Sequence, residues 1–313
     1  MIWYVLAAVL GLALIGAVAA LVVTEWRSRP PKPVAASAAV VGREALDAVN
    51  AGLRRLTGEC LRSGRSLPDL YAVVYSEERL GLLLAGAEET APAPWTAEED
   101  GERWTAPLDA LHRPGPEGEP ALPYALTVTV GLDGPDRVLV DLSRATGPVS
   151  VTGPDEEVHS LVRAVIAETL SSPVGALAEV TLVGSLAGAG LVTGDGPHSS
   201  RLHTAATLEE AFARAASGAP GQPQPEASDV TQIFRLIEGG SRLAVQGEAP
   251  HLFVVDASQL PRRQGALDAL GRGDALLVVG DAPAGWRWRA GAGGTLDTGP
   301  LGLEITRHVG RFA

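Results

Sequence analysis

The stretch that decides the fold is Gly147–Leu170, which reads GPVSVTGPDEEVHSLVRAVIAETL. Its first part, Val149–Thr152, is a short apolar run of the kind that predicts a buried β-strand. Gly153 and Pro154 then mark a tight turn, and the remainder carries apolar residues at helical spacing. The stretch therefore predicts a strand, a glycine turn and a helix, in that order.

Strand, turn and helix in this order also build the phosphate-binding loop G-x-x-x-x-G-K-[ST]. The corresponding positions are Gly153, Pro154, Asp155, Glu156, Glu157, Val158, His159 and Ser160. The first glycine and the final hydroxyl are kept, whereas Val158 and His159 replace the second glycine and the lysine. We therefore interpret the stretch as a nucleotide-binding architecture that has lost its phosphate site.

The acidic residues Asp155–Glu157 stand where a phosphate cradle needs backbone N–H groups, a helix dipole and a lysine to attract an anion. Carboxylates in that place repel a triphosphate, and His159 is mostly neutral at pH 7 and shorter than lysine. The same acidic residues also make an ordinary helix start, because they offset the positive end of the helix dipole. This structural interpretation is favoured over residual nucleotide binding.

Charge and composition exclude several classes of protein. The chain has 313 residues and a formal net charge of -12, with a pI near 5.0, which argues against binding the phosphate backbone of a nucleic acid. Cys60 is the only cysteine, so the chain forms no internal disulfide. Its place on the apolar side of a helical pattern predicts a small buried hydrophobe.

Ile2–Val23 is an uncharged apolar run long enough to cross a bilayer core of about 30 Å, and it predicts a transmembrane helix. Aromatic residues flank this run and basic residues follow it: Trp3, Tyr4, Trp26, Arg27, Arg29 and Lys32. Because positive charge favours the cytoplasmic side, we predict a single-pass protein of the cell membrane, with its N-terminus outside and its soluble domain in the cytoplasm. The alternative is a signal peptide cleaved after Ala17-Val18-Ala19, which would leave an envelope-exposed domain.

The rest of the chain predicts two further units. A helical pattern over 41–62 and a hairpin over 70–85 indicate a small α+β unit. Three apolar runs, Val180–Val183, Leu252–Val255 and Ala275–Val279, alternate with helical segments and indicate a parallel sheet. The predicted boundaries are a transmembrane anchor over 1–24, a linker over 25–40, a small α+β subdomain over 41–110, a Pro-rich linker over 111–123 and an α/β domain over 124–313.

The end of the chain, Trp286–Val309, returns to alternating strands. Trp286 and Trp288 fall on one face and Arg287 and Arg289 on the other, which predicts an antiparallel edge whose tryptophans pack on the core. The predicted fold class is thus α/β, with an N-terminal transmembrane helix, a small α+β subdomain and a mostly parallel P-loop-like sheet. That sheet is expected to carry helices on both faces and antiparallel C-terminal strands.

The order of these elements resembles the motor domain of FtsK-type DNA translocases and type VII secretion ATPases. The segments that carry the resemblance are the hairpin before residue 142, GPVSVTGPDEEVHS, EVTLVG, RLHTAATLEEAFARA and HLFVVDAS. The chain is more similar to the degenerate versions of that domain in large actinobacterial membrane proteins, which can also carry LysM and bacterial transcriptional activator modules. The resemblance covers Tyr124–Val309, and no segment resembles either of those modules.

On this resemblance, the family's Walker A motif falls on Gly153–Ser160, with Ser160 in the place of the magnesium-binding hydroxyl. The Walker B motif falls on Leu252–Asp256, with Asp256 in the metal-associated place. Ala257 follows, so the glutamate that would position an attacking water is missing. The departures imply a degenerate site, with no catalytic residue, cofactor or metal expected and with vestigial positions at Gly153, His159, Ser160 and Asp256.

A second cluster of possible ligands is weaker. Asp195, His198 and His203 are close in sequence, but their spacing matches no zinc pattern. No metal site is expected there. Asp141 and Asp256 end predicted strands, where carboxylates are usually caps or turn residues, although an α/β active site would also lie at that edge.

The functional prediction is non-enzymatic. We expect a membrane-anchored, nucleotide-independent scaffold or regulatory partner in a cell-envelope or secretion assembly, with an unidentified protein partner and no nucleic acid. The alternative is a divergent ATPase, a homo-oligomer that completes its site with basic residues from a neighbouring subunit. Arg262 and Arg263, which follow Asp256, are the basic candidates.

Overall fold

The computed structural model describes residues 38–98, 101–111, 124–188, 191, 199–217, 249–260, 267, 270–271 and 273–311. The segment predicted to cross a membrane, residues 2–23, lies outside these ranges, as does the predicted linker up to residue 37. The described residues belong to one compact unit, Ala36–Ala313.

The elements are numbered in chain order. The helices are α1 (Ala38–Ser63), α2 (Leu108–Leu111), α3 (Asp155–Ser171) and α4 (Leu208–Ala216). The strands before α3 are β1 (Leu70–Tyr75), β2 (Arg79–Leu84), β3 (Thr96–Glu98), β4 (Arg103–Pro107), β5 (Thr127–Asp133), β6 (Asp136–Asp141) and β7 (Val149–Thr152). Those after α3 are β8 (Glu179–Val183), β9 (Leu202–Ala205), β10 (His251–Asp256), β11 (Ala275–Val279), β12 (Trp286–Ala290), β13 (Leu296–Asp297), β14 (Glu304–Ile305) and β15 (Arg307–His308).

The first sheet has the strand order β15-β5-β6-β1-β2-β4-β3, and every neighbouring pair in it is antiparallel. α1 covers one of its faces, because the helix presents an apolar stripe at three- and four-residue spacing. In that stripe Val49, Leu53 and Leu56 share a core with Leu80 and Leu82 of β2. The opposite face, largely from β5 and β6, packs against α3.

The predicted fold class is wrong because of this sheet. The described residues form two sheets, of seven and eight strands, and the first is antiparallel throughout. The sequence predicts β5 and β6 as a hairpin of the α/β domain, and the two strands do pair with each other, but β6 also pairs with β1, so the hairpin belongs to the first sheet. Both strands are buried over nearly their whole length. β6 therefore carries a continuous apolar run, Val138–Val140, the pattern that otherwise marks parallel strands.

The second sheet has the strand order β14-β13-β12-β7-β11-β10-β8-β9. The strands from β12 to β9 in this order are mutually parallel, whereas β13 and β14 are antiparallel. β12 is therefore an interior strand and not the predicted edge. Its tryptophans, Trp286 and Trp288, are buried and its arginines, Arg287 and Arg289, are exposed, as the alternation predicts.

The prediction of a single-pass membrane protein with a cytoplasmic domain is also corrected. In the ranges that the structure describes, no helix combines the length and the apolar character needed to cross a bilayer. α1 has 26 residues, but it is amphipathic and alternates buried Leu53 and Leu56 with exposed Arg54. The membrane assignment rests on residues 2–23 alone, which lie outside the described part of the chain.

α3 joins the two sheets. Val162 and Ile166 of this helix are fully buried in a core with residues of both sheets, and burying such a side chain contributes roughly 1.5–3 kcal/mol. Glu168 accepts the backbone N–H of Thr129 at 2.6 Å, next to an irregularity in the pairing of β5 with β6 between Thr129 and Gly131. These contacts fix the N-terminus of α3 at the carboxyl edge of the second sheet, where β7 ends.

Candidate functional site

The turn between β7 and α3 consists of Gly153 and Pro154. Gly153 has φ 141, a backbone conformation that favours glycine. A side chain at this position would collide with the carbonyl oxygen of Ala290, whose carbonyl carbon would lie only 3.1 Å from the added Cβ. The glycine is therefore explained by the close approach of β12, without any need for a bound phosphate.

The rest of the motif lies inside the helix. α3 begins at Asp155, so the motif positions Asp155–Ser160 all have helical backbone. The N–H of Val158 donates to the carbonyl oxygen of Pro154 at 3.0 Å, an ordinary first-turn hydrogen bond. A phosphate-binding loop instead directs successive backbone N–H groups at the anion before its helix begins. Here the loop that would form this cradle is reduced to Gly153 and Pro154.

Glu157 is buried and bound by residues from the end of the chain. Nε2 of His308 donates to its Oε2 at 2.8 Å, with the proton placed on Nε2 by this hydrogen bond. Nε of Arg311 donates to the same oxygen at 2.8 Å, and a second guanidinium nitrogen contacts Oε1. The hydrogen bonds from Arg311 and then His308 lower the pKa of Glu157 to about 2. The carboxylate is thus a fixed partner of two basic side chains.

Ser160 is held by the same part of the chain. Its hydroxyl donates to the carbonyl oxygen of Gly310 at 2.6 Å. Gly310 belongs to the 3-10 helix Val309–Arg311, which packs on α3. We call residues His308–Arg311 the C-terminal segment. It covers the first turns of α3, so the hydroxyl that the resemblance assigns to magnesium is donated to a backbone carbonyl.

The remaining vestigial positions do not converge on Ser160. His159 is partly exposed on α3. Asp256 ends β10, which is separated from β7 by β11. Its Oδ1 accepts the N–H of Ser258 at 2.8 Å and the hydroxyl of Ser258 at 2.5 Å. The side chain of Asp256 therefore caps the 3-10 helix Ala257–Gln259.

Asp141, the other carboxylate at a strand end, behaves in the same way. Its Oδ1 accepts the N–H and the hydroxyl of Ser143, at 3.1 and 2.7 Å. The side chain is fully buried, and burial raises its pKa even though Arg144 and Ser143 oppose the shift. Both strand-end carboxylates thus serve as caps, one of the two interpretations that the sequence leaves open.

The weak ligand cluster of the sequence is not assembled in the described residues. Asp195 and His198 lie outside them, whereas His203 lies on β9 and its Nε2 contacts Oε2 of Glu179 at 3.1 Å. Within the ranges that the structure covers, no group of three or more potential ligands could hold a metal ion. The basic candidates of the alternative ATPase, Arg262 and Arg263, also lie outside these ranges.

Sequence reasoning missed the pairing of Glu157 with the C-terminal segment. One signal was present, because Glu157, Leu161 and Val165 follow each other at four-residue spacing and so share a helix face. Leu161 and Val165 are buried, and so is Glu157. A carboxylate on an apolar helix face needs a basic partner, but nothing local in the sequence identifies a partner more than 150 residues away.

Comparison with known protein families, with curated proteins and with solved structures finds no match. The resemblance to FtsK-type and type VII secretion ATPases therefore stays a prediction that rests on the segments quoted above. The chemistry of the site has to be judged from the geometry of this chain alone.

Proposed function

We propose that the protein is a non-enzymatic, nucleotide-independent scaffold or regulatory partner in a secretion or cell-envelope assembly. Its second sheet keeps the strand, turn and helix of a nucleotide-binding architecture. The protein's own C-terminal segment packs on α3 and occupies the hydroxyl of Ser160, the group that would bind the metal. The kind of assembly is taken from the family resemblance, and the partner is a protein.

One observation carries this proposal, the hydrogen bond from Ser160 to the carbonyl oxygen of Gly310 at 2.6 Å. Phosphoryl transfer depends on cradled phosphates, a positioned metal and an oriented nucleophile. The hydroxyl that would bind the metal is instead used to seat the C-terminal segment. A magnesium ion bound to a nucleotide could coordinate the hydroxyl of Ser160 only after this hydrogen bond is broken.

Electrostatics support the same conclusion. Asp155 and Glu156 are exposed at the start of α3, and they repel a triphosphate that approaches the helix N-terminus. The basic groups nearby do not compensate, because Arg311 is bound to Glu157 and lies 3.8 Å from Glu156. The net charge of -12 also disfavours nucleic acid as the partner.

Calorimetric titration with MgATP tests the nucleotide-independent part. The wild-type chain is expected to give no binding heat. The double variant Val158→Gly/His159→Lys restores the motif residues and is also expected to give none, because α3 still begins at Asp155 and the C-terminal segment still covers Ser160. Micromolar MgATP binding by the wild type that is lost in Ser160→Ala would refute the proposal.

Crosslinking in native cells tests the scaffold part. The protein recovered with this chain should be the same in wild type and Ser160→Ala, and its amount should not change when ATP is depleted. Phosphate release by concentrated protein that disappears in the variant Arg262→Ala/Arg263→Ala would favour the divergent ATPase instead. Recovery of a partner only in the presence of ATP would contradict nucleotide independence.

A further inference from the structure

A second cluster of titratable side chains lies where the parallel strands of the second sheet begin, at the opposite ends of the strands from the turn between β7 and α3. Glu179 is the first residue of β8, His251 is the first residue of β10, and His203 is the second residue of β9. β8 lies between β9 and β10, all three strands are parallel, and His251 is directly opposite Glu179 in the pairing. The sheet register therefore brings one carboxylate between two imidazoles.

The contacts are short and partly buried. Oε2 of Glu179 is 3.0 Å from Nε2 of His251 and 3.1 Å from Nε2 of His203. Glu179 and His251 are buried, while His203 is partly exposed. The backbone N–H of His251 donates to Oδ1 of Asp274 at 2.8 Å. Each imidazole can donate to the shared carboxylate oxygen, and each donation is stronger when the ring is protonated.

The cluster lies on the face of the sheet that α4 covers. Side chains alternate along β10, so His251 shares its face with Phe253. The two rings stack with centroids 5.6 Å apart. Phe253 in turn meets Phe212 of α4 edge to face, with centroids 4.9 Å apart. His203 lies on β9, and the aromatic rings link His251 to α4. The cluster is therefore connected to both β9 and α4.

The charged groups that act on His251 are Asp274 and Glu179. Glu179 also contacts His203 and interacts with the charge of Arg201. Hydrogen bonding from His251 lowers the pKa of Glu179 more than burial raises it. Burial alone lowers the pKa of His251, but the hydrogen bond to Glu179 and the charge of Asp274 outweigh it and leave this pKa raised. Arg201, whose guanidinium donates to the carbonyl oxygens of Gly175 and Ala178, adds a fixed positive charge.

We propose that Glu179, His203 and His251 form a proton-operated clasp that holds the outer unit, β9 and α4, on the second sheet. Among the strands that the structure describes, β9 is the last of this sheet and pairs only with β8. Short edge elements open locally at lower free energy than the core. The contact of Glu179 with His203 joins β9 to β8, and the contact of Glu179 with His251 joins β8 to β10. The cluster therefore controls how often this unit opens, and protonation of His251 strengthens it.

The pH dependence of the clasp follows from the pKa shifts of His251 and Glu179. The stabilisation from His251 is complete below its unfolded pKa of about 6.5 and is lost as the pH rises through its raised folded value. The stabilisation from Glu179 is present above its unfolded pKa of about 4.3 and is lost as the pH falls through its lowered folded value. The clasp is therefore tightest between about pH 4.3 and 6.5 and loosens toward alkaline pH.

Hydrogen exchange of the full chain tests the clasp. The measurement compares protection of residues 202–216 at about pH 6 and about pH 8, in EDTA and with correction for the intrinsic exchange rate. In the wild type, protection is expected to fall about fivefold toward pH 8, because hydrogen bonds to charged groups are the stronger kind. Glu179→Gln and His251→Gln should each remove this pH dependence. His159→Gln, a partly exposed histidine on α3, should keep it.

A measurement on the wild-type chain tests the clasp even if a variant fails to fold. The imidazole proton resonances of the wild type should show His251 titrating above its ordinary pKa. An equal fall in protection in the wild type and in Glu179→Gln would overturn the proposal, as would His251 titrating at or below its ordinary pKa. A pH response that appears only when EDTA is omitted would also overturn it, since a metal ion would then be the ligand.

Discussion

Gly310→Ala is the substitution that most directly tests whether the C-terminal segment is seated on α3. A Cβ at residue 310 would point at the backbone of Ser160, where the carbonyl oxygen would lie 2.5 Å away and the hydroxyl oxygen 2.6 Å away. Ordinary van der Waals contact begins at 3.4 Å. The colliding atoms include backbone atoms of a helix packed between two sheets, so the C-terminal segment is the part that must move.

The destabilisation expected for Gly310→Ala combines two costs and one smaller gain. Moving the segment by about 1 Å to relieve such a collision costs roughly 1–3 kcal/mol, as for other overpacked sites. The same movement breaks the hydrogen bond from Ser160 to Gly310, now 2.6 Å long, which costs about 1 kcal/mol more. Replacing glycine returns about 0.4–1 kcal/mol by restricting the unfolded chain. The expected loss in free energy of unfolding is therefore about 1–3.5 kcal/mol.

Urea unfolding followed by tryptophan fluorescence measures this loss, because Trp286 and Trp288 are buried in the second sheet. The matched control is Gly86→Ala, whose Cβ would meet no atom within 4 Å and which should change stability by less than about 1 kcal/mol. Hydrogen exchange should also show the first turns of α3 less protected in Gly310→Ala. If Gly310→Ala and Gly86→Ala proved equally stable, the C-terminal segment would not be seated on Ser160 and the proposed closure would fall.

Three further predictions concern ionisable groups. Hydrogen bonding from Arg311 lowers the pKa of Glu157 to about 2, so the stabilisation from Glu157 is present above about pH 4.3 and is lost as the pH falls toward 2. Glu157→Gln should therefore flatten the acid limb of a curve of unfolding free energy against pH. An unchanged acid limb would argue against the pairing of Glu157 with Arg311. Burial raises the pKa of Cys60 to about 11, so a thiol reagent at about pH 8 should label Cys60 only when the protein unfolds, and rapid labelling of the native chain would contradict its burial. Glu168→Leu removes the acceptor for the N–H of Thr129 and should cost about 1–3 kcal/mol in free energy of unfolding. Glu168→Gln keeps an acceptor and should cost clearly less, so equal losses on denaturation would refute this role.

Local elements were predictable where a strand is apolar and bounded by turn residues. The strands Val149–Thr152 and Ala275–Val279 have the bounds that their apolar runs predict, and the helix after Pro154 begins at Asp155. Partner choice was not predictable in the same way. The hairpin of β5 and β6 could be predicted from its turn, but its pairing with β1 could not. β6 is buried over most of its length, and such a strand carries no alternation that identifies its neighbour.

In the candidate site, too, the local features could be predicted from the sequence and the long-range contacts could not. The loss of the lysine and second glycine can be read directly from Val158 and His159, and the acidic helix start is local chemistry. The closure of the site is not local, since it depends on Gly310 and Arg311 returning to α3. Single-sequence reasoning identifies a buried carboxylate such as Glu157 as needing a partner, but only the tertiary structure selects one.

The pairing of Glu157 with Arg311 and His308 argues that the acidic start of α3 is a structural feature with its own partners. In a site that had merely lost its lysine, the remaining residues would have no reason to match the end of the chain. Here a buried carboxylate, two basic side chains and a glycine that fits against Ser160 are mutually consistent, and such consistency marks contacts on which a fold depends. Restoring the motif's glycine and lysine by substitution at Val158 and His159 would therefore not restore a metal ligand at Ser160, because its hydroxyl still donates to Gly310 of the C-terminal segment.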